Sequence, residues 1–205
     1  MTLKQVTLAT SLLIAMLTMT TGAQERIAVF SDPHLLSSAL VSNPGQPYFD
    51  DLATNNKMTD LGPQVMQALV DTLLAIRPAA VLVPGDLTKE GEARSHADMV
   101  GYLGQLREAG IKVFVIPGNH DVNNSNAVGY YGDNVRPENT LNSLQFAVRY
   151  ADMGYNQALE RDPHSLSYLA EPIDGVWLIA VDDSRCMERD SAVYQHQRST
   201  SQRQS

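Results

Sequence analysis

Three short polar segments, each directly after an apolar run, constrain the fold of this chain more than any other feature. The apolar runs cover residues 27–30, 79–83 and 113–116. Each run has the length and composition of a buried strand. The polar segments that follow are Asp-Pro-His at 32–34, Gly-Asp at 85–86 and Gly-Asn-His-Asp at 118–121. Ligands of open α/β sheets bind at the carboxyl ends of the strands, so the pattern predicts that these segments share one site.

The residue types in the first two segments favour a metal site. Asp32 and His34 lie two positions apart, so in an extended backbone both side chains point to the same side. Pro33 favours that extended conformation at Asp32. A carboxylate beside an imidazole suits Mn, Fe or Zn better than Ca. Asp86 follows Gly85, which allows a sharp turn, and its two carboxylate oxygens are able to bridge two ions.

The third segment adds a neutral ligand and a proton donor. Asn119 offers an amide oxygen, which is able to hold a second ion without adding negative charge that would repel a phosphate. His120 is next to it and is free to donate a proton. Asp121 is placed to hold the imidazole of His120 in the required tautomer.

The spacing of apolar residues predicts alternating strands and helices. Apolar residues recur at i, i+4 between Val65 and Leu74, which indicates a helix that begins near Asp60 or Pro63 and ends before Pro78. The predicted βαβαβ unit consists of strand 26–31, this helix, strand 80–83, helix 93–109 and strand 113–116. Such a unit favours an α/β fold with a mainly parallel sheet and right-handed crossovers.

The remaining segments are less regular. Residues 37–56, a polar segment with Ser, Asn, Pro and Gly, and residues 122–138, which contain several Asn and Gly, predict long loops. The later predicted elements are helix 140–150, strand 166–169, a hairpin turn at 174–175 and strand 176–181. Glu90 and Glu92 are expected to form a solvated helix start, and His96 is expected on the surface of the second helix. His164 falls in a predicted loop.

The ends of the chain differ in composition from its middle. Lys4, the apolar run 6–19 and the small residues 21–23 predict a signal peptide over residues 1–23, with a membrane anchor as the alternative. Cleavage would leave no stable membrane anchor and would place the protein in the periplasm or outside the cell. Residues 24–184 are expected to form one domain, and the Gln/Ser-rich residues 185–205 a disordered tail.

The net charge limits the kinds of partner expected, and the cysteine count limits the disulfides. The net charge of the 205-residue chain is −8, which disfavours nucleic acid as a partner. A small-molecule or lipid-headgroup phosphoester fits this charge better. Cys186 is the single cysteine, so no intrachain disulfide is able to form.

The segments 32–34, 85–86 and 118–121 resemble the first three motifs of the calcineurin-like metallophosphoesterase superfamily. The resemblance implies a four-layer α/β/β/α sandwich with two divalent metal ions, Mn, Fe or Zn, at the sheet ends. It implies that Asp32 and His34 bind one ion, Asp86 bridges, and Asn119 binds the other. His120 is then the general acid, with Asp121 as its partner. The implied reaction is in-line attack of a metal-bound hydroxide on a phosphomonoester or phosphodiester.

The chain departs from the family pattern in its last part. The pattern continues with a His after a later strand and a Gly-His-x-His segment, and neither is present, since His196 lies in the polar tail without that frame. The sandwich is therefore expected to be incomplete at the C-terminus and hydrolysis impaired. A catalytically silent domain that binds metal or phosphoester and a nuclease-like phosphodiesterase are the alternatives. Lys89 stands where purple acid phosphatases have Tyr, which argues against that subgroup.

Overall fold

The computed structural model describes residues 25–55 and 57–184. The predicted signal peptide at 1–23 and the predicted tail at 185–205, with Cys186 and His196, lie outside the described residues. None of the described helices combines the length and apolar character needed to cross a lipid bilayer.

The described residues form four α-helices and nine strands. The helices are α1 (Gln46–Thr54), α2 (Gly62–Ile76), α3 (Ala93–Glu108) and α4 (Ser143–Arg149). The strands are β1 (Ile27–Val29), β2 (Val41–Ser42), β3 (Ala80–Pro84), β4 (Lys112–Ile116), β5 (Val128–Tyr131), β6 (Asn134–Pro137), β7 (Glu160–Arg161), β8 (Tyr168–Ile173) and β9 (Val176–Ala180).

The predicted βαβαβ unit is present. Strands β1, β3 and β4 form a parallel sheet in that order, and α2 and α3 are the two crossover helices. Pro63 lies in the first turn of α2, where its missing N–H costs no hydrogen bond, and Arg77 ends the helix in a left-handed conformation. Each helix buries an apolar stripe, with Met66 and Val70 on α2 and Leu103 on α3. These stripes pack against the sheet in one core.

A second sheet shares that core. Strands β7, β8 and β9 are antiparallel neighbours, and the predicted turn at Asp174 and Gly175 joins the last two. Tyr168 and Ala180 of this sheet are buried in the same cluster as Val115 of the first sheet. The Tyr168 hydroxyl donates a hydrogen bond of 2.9 Å to the Val115 carbonyl. Parallel and antiparallel sheets with helices, and no closed barrel among the described residues, confirm the predicted α/β class.

The two segments predicted as long loops contain regular structure, so that prediction is wrong in part. Helix α1 lies within 37–56, and β2 of the same segment pairs in parallel with β5 of the other. Strands β5 and β6 form a hairpin whose turn contains Gly132 at φ +64°. The aromatic rings of Tyr48 and Tyr130 pack 5.2 Å apart and join the two segments. Polar composition hid these elements, because few apolar residues are enough to anchor a short helix and a hairpin.

Candidate metal centre

The carboxyl ends of β1, β3 and β4 bring the three polar segments to one edge of the parallel sheet. Backbone hydrogen bonds extend the pairing past the strands into the segments themselves. The N–H of Asp32 donates to the Gly85 carbonyl at 3.2 Å, and the N–H of His34 donates to the Asp86 carbonyl at 3.1 Å. The first two segments are therefore held in register beyond the strand ends.

A central cluster of three side chains forms at this edge. His34, Asp86 and His120 each offer one ligand atom, and these three atoms lie within 4.8 Å of one another. The Nε2 atom of His34 is 3.6 Å from Oδ2 of Asp86. The rings of His34 and His120 meet edge to face with centroids 4.9 Å apart. The imidazole of His34 and the carboxylate of Asp86 provide nitrogen and oxygen donors, a combination that fits Mn, Fe or Zn.

The backbone at the candidate ligands is not extended, so the predicted conformation of Asp32 is wrong. Asp32, His34 and Asp86 have φ values of +57°, +42° and +49°, in the left-handed region. Such conformations cost about 1–3 kcal/mol for each non-glycine residue and persist only where surrounding contacts fix them. The backbone hydrogen bonds to Gly85 and Asp86 provide those contacts. Strain of this kind concentrates at functional sites.

Asp32 and Asn119 lie on the open side of the cluster. Oδ1 of Asp32 is 3.9 Å from Nε2 of His34, and the Asp32 side chain is 60% exposed. Asn119 is also exposed. The structure therefore places both predicted ligands at the same edge, with their side chains facing solvent.

Electrostatics favour a neutral imidazole at His34. Burial lowers the pKa of His34, and the nearby Lys57 ammonium lowers it further, while Asp86 acts in the opposite direction. A neutral imidazole has the lone pair that a metal ion requires. The residues present therefore fit a divalent ion, with His34 and Asp86 as its most enclosed ligands.

Asp121 does not contact the imidazole of His120, contrary to expectation. Its carboxylate is fully buried and accepts four hydrogen bonds of 2.8–3.0 Å, from the backbone N–H groups of Leu87, Thr88 and Gly118 and from the Thr88 hydroxyl. Burial raises the pKa of Asp121 to about 6, and these donors oppose the rise. The role of this carboxylate is to join the loop after β3 to the loop after β4.

Glu90 occupies the position expected of Asp121. Its Oε2 atom is 3.0 Å from Nδ1 of His120 and accepts a 2.7 Å hydrogen bond from Nδ2 of Asn124. The prediction that Glu90 is a solvated helix-start residue is therefore wrong. No periodic pattern marks Glu90, because its contact depends on how the loop after Asp86 folds back beside His120.

Two further polar residues predicted at the surface are fully buried behind the site. Glu92 is 0% exposed, and burial raises its pKa. His96 is also 0% exposed, with Nε2 2.9 Å from the Asp121 carbonyl and Nδ1 2.8 Å from the Tyr150 hydroxyl. Since a carbonyl only accepts, Nε2 carries the proton and Nδ1 accepts from Tyr150. Burial lowers the pKa of His96 to about 4.

Comparison with known families agrees with this geometry. The model of the calcineurin-like phosphoesterase family matches residues 25–192, which include all three polar segments. Among curated proteins, no sequence matches the chain significantly. The match covers more than half of the chain, and the described part has the mixed α/β architecture with a possible His/Asp metal site. The chain therefore belongs to the calcineurin-like phosphoesterase family.

Proposed function

We propose that this protein is a metal-dependent hydrolase of phosphomonoester or phosphodiester bonds that uses two divalent ions, Mn, Fe or Zn. The observation that carries the proposal is the pair of candidate ligands His34 and Asp86, with His120 beside them, at the strand ends of a domain that matches the family. Divalent ions at such a site supply charge neutralisation for a phosphate and activation of a water molecule.

Each side chain then has a distinct task. Asp32 and His34 would hold one ion, Asn119 would hold the other, and Asp86 would serve both. His120 gives a proton to the leaving oxygen, and Glu90 orients its ring through the 3.0 Å contact at Nδ1. Asp121 supports the site from behind by holding both loops. Its part in catalysis is positioning alone.

The net charge and the N-terminal segment support a proposed substrate class and a proposed location for the protein. The net charge of −8 favours a small-molecule or lipid-headgroup phosphoester over nucleic acid. The sequence of residues 1–23 supports export to the periplasm or the exterior. N-terminal sequencing of exported protein should give Gln24 as the first residue, and a first residue of Met1 would contradict export by cleavage.

The test combines metal binding with turnover. Binding of manganese, iron and zinc is titrated calorimetrically in the wild type, in Asp86→Ala and in Asp71→Ala, which removes an exposed carboxylate of α2. Asp86→Ala should lose binding of both ions because the shared ligand is gone, and Asp71→Ala should bind as the wild type does. Absence of manganese, iron and zinc binding by the wild type would contradict the proposal.

Turnover of phosphate esters then separates an enzyme from a silent binding domain. If the wild type hydrolyses these esters, His120→Ala should keep its metals and slow hydrolysis by about 10²–10⁴, the usual effect of losing a general acid. The loss should be smaller for 4-nitrophenyl phosphate than for phenyl phosphate, because a good leaving group needs less protonation. Bound metals without hydrolysis of either ester would favour the silent domain and contradict the proposal.

A further inference from the structure

A lysine lies at the rim of the candidate metal centre, and the proposed function assigns no role to it. Lys57 follows α1 in the chain, and its Nζ atom is 3.4 Å from Nε2 of His120. The His120 ring packs against the ring of His34. The ammonium of Lys57 therefore lies beside two of the three side chains of the central cluster.

The charge of Lys57 acts inside the cluster. The Lys57 ammonium is 3.4 Å from Nε2 of His120, one of the three side chains of the cluster. Three carboxylates, those of Asp32, Asp86 and Glu90, lie within 4 Å of the two histidines of the cluster. Lys57 thus supplies positive charge at a place where three carboxylates would otherwise repel an anionic substrate.

A comparison with Lys89 shows that Lys57 is available to a ligand. The ammonium of Lys89 is buried, 3.0 Å from Oδ2 of Asp51 and 3.2 Å from the Tyr130 hydroxyl. Within residues 25–55 and 57–184, no carboxylate lies at ion-pair distance from the Lys57 ammonium, whose polar contact is Nε2 of His120. Lys89 is therefore committed to the structure, whereas Lys57 is able to bind an anion.

The same Lys89 contact holds Lys57 in place. Asp51 lies on α1, and its Oδ1 atom also accepts a 2.7 Å hydrogen bond from Nδ2 of Asn55, the residue two before Lys57. Lys89 lies three residues after Asp86 on the loop that carries this ligand. The end of α1 is thus tied to the site loop, and this limits how far Lys57 is able to move from the site.

We propose that Lys57 binds the non-bridging oxygens of the substrate phosphate and favours phosphomonoesters over phosphodiesters. The inference rests on the proposed function and narrows its substrate class. A monoester carries up to two negative charges near neutral pH and a diester carries one, so the attraction to a single ammonium is larger for the monoester. The three N–H donors of the ammonium suit the terminal oxygens of a monoester.

The test measures binding of two small anions to the manganese-loaded protein by calorimetry at pH 8. Inorganic phosphate represents the dianionic monoester group, and dimethyl phosphate represents the diester. Lys57→Gln removes the charge and Lys57→Arg keeps it. Lys112→Gln is the matched control, because its ammonium donates to the Pro172 carbonyl away from the polar strand-end segments.

Lys57→Gln should weaken binding of phosphate by about tenfold or more, the usual effect of losing a charged hydrogen bond, and binding of dimethyl phosphate by less than about threefold. Lys57→Arg should restore most of the affinity, and Lys112→Gln should match the wild type. Equal losses for both anions, or no loss for phosphate, with manganese still bound would overturn the assignment of Lys57 alone. Failure of the wild type to bind manganese, iron and zinc would contradict the proposed function itself.

Discussion

The two halves of the candidate metal centre differ in how firmly the protein holds them. His34 and Asp86 form the buried half, with side chains only 13% and 14% exposed, and hydrogen-bonded loops lie behind them. Asp32 and Asn119 form the open half, and both are exposed. The buried half is shaped by the fold before any ion binds. The open half has few contacts of its own, so bound metal has to fix the positions of its side chains.

The largest effect expected from this contrast is a loss of stability when the Asp121 carboxylate, which lies behind the buried half, is removed. Asp121→Ala should lower the free energy of unfolding by about 4 kcal/mol, because it leaves two buried backbone N–H groups and a partly buried one without an acceptor. Asp121→Asn keeps one oxygen and should lose less. Urea denaturation at pH 7 measures both variants. A loss below about 1 kcal/mol for Asp121→Ala would mean that the two loops hold together without this carboxylate.

A pH effect of similar size should arise at His96. Its pKa is about 4 in the folded protein against 6.5 ordinarily, so it is neutral when folded and protonates more readily when unfolded. Its contribution to stability is therefore present above about pH 6.5 and is lost as the pH falls towards 4, by up to about 3 kcal/mol. His96→Gln removes the titrating group and should flatten this loss.

The measurement is the difference in free energy of unfolding between wild type and His96→Gln at several pH values from 7 to 4. Asp121, whose pKa is raised to about 6, titrates in both proteins, so its opposite contribution cancels in the difference. A difference that stays constant across this range would show that His96 is not held neutral by burial.

A smaller effect should appear in catalysis at Glu90, which lies on the loop after Asp86 and contacts His120. Glu90→Gln keeps the size of the side chain but removes the charge facing Nδ1 of His120. If the wild type hydrolyses phenyl phosphate, the rate for Glu90→Gln should be about tenfold lower, as is typical for residues that orient catalytic groups. The fall should be less for 4-nitrophenyl phosphate, and equal falls would remove Glu90 from the orienting role.

The smallest effect on stability should follow substitution in the open half. Asp32→Ala should lower the free energy of unfolding by about 1 kcal/mol or less, because the side chain is 60% exposed and only the left-handed backbone at φ +57° disfavours Ala. The same variant should bind manganese about tenfold or more weakly, because it removes a ligand. A large loss of stability without metal would show that the open half is held by the fold after all.

The main helices and strands could be predicted from the sequence, but the hydrogen bonds that hold the site residues in place could not. Apolar residues four apart predicted α2, and apolar runs predicted β3 and β4 to within one residue. These elements depend on local periodicity, which a single sequence carries. The burial of His96 and the contact between Glu90 and His120 depend on hydrogen bonds between residues distant in the chain. The sequence carries no local signal for such pairings.

Gly85 and Gly118, the two glycines next to the site residues, should tolerate few substitutions. A methyl group on Gly118 would overlap the carboxylate and backbone nitrogen of Asp86, and one on Gly85 would lie 3.0 Å from the Gly118 Cα atom. Gly85 itself has φ +91°. In a saturation library selected for metal binding, both glycines should therefore tolerate as few substitutions as the ligands themselves. The space left by two absent side chains is as much a part of this centre as the donor atoms around it.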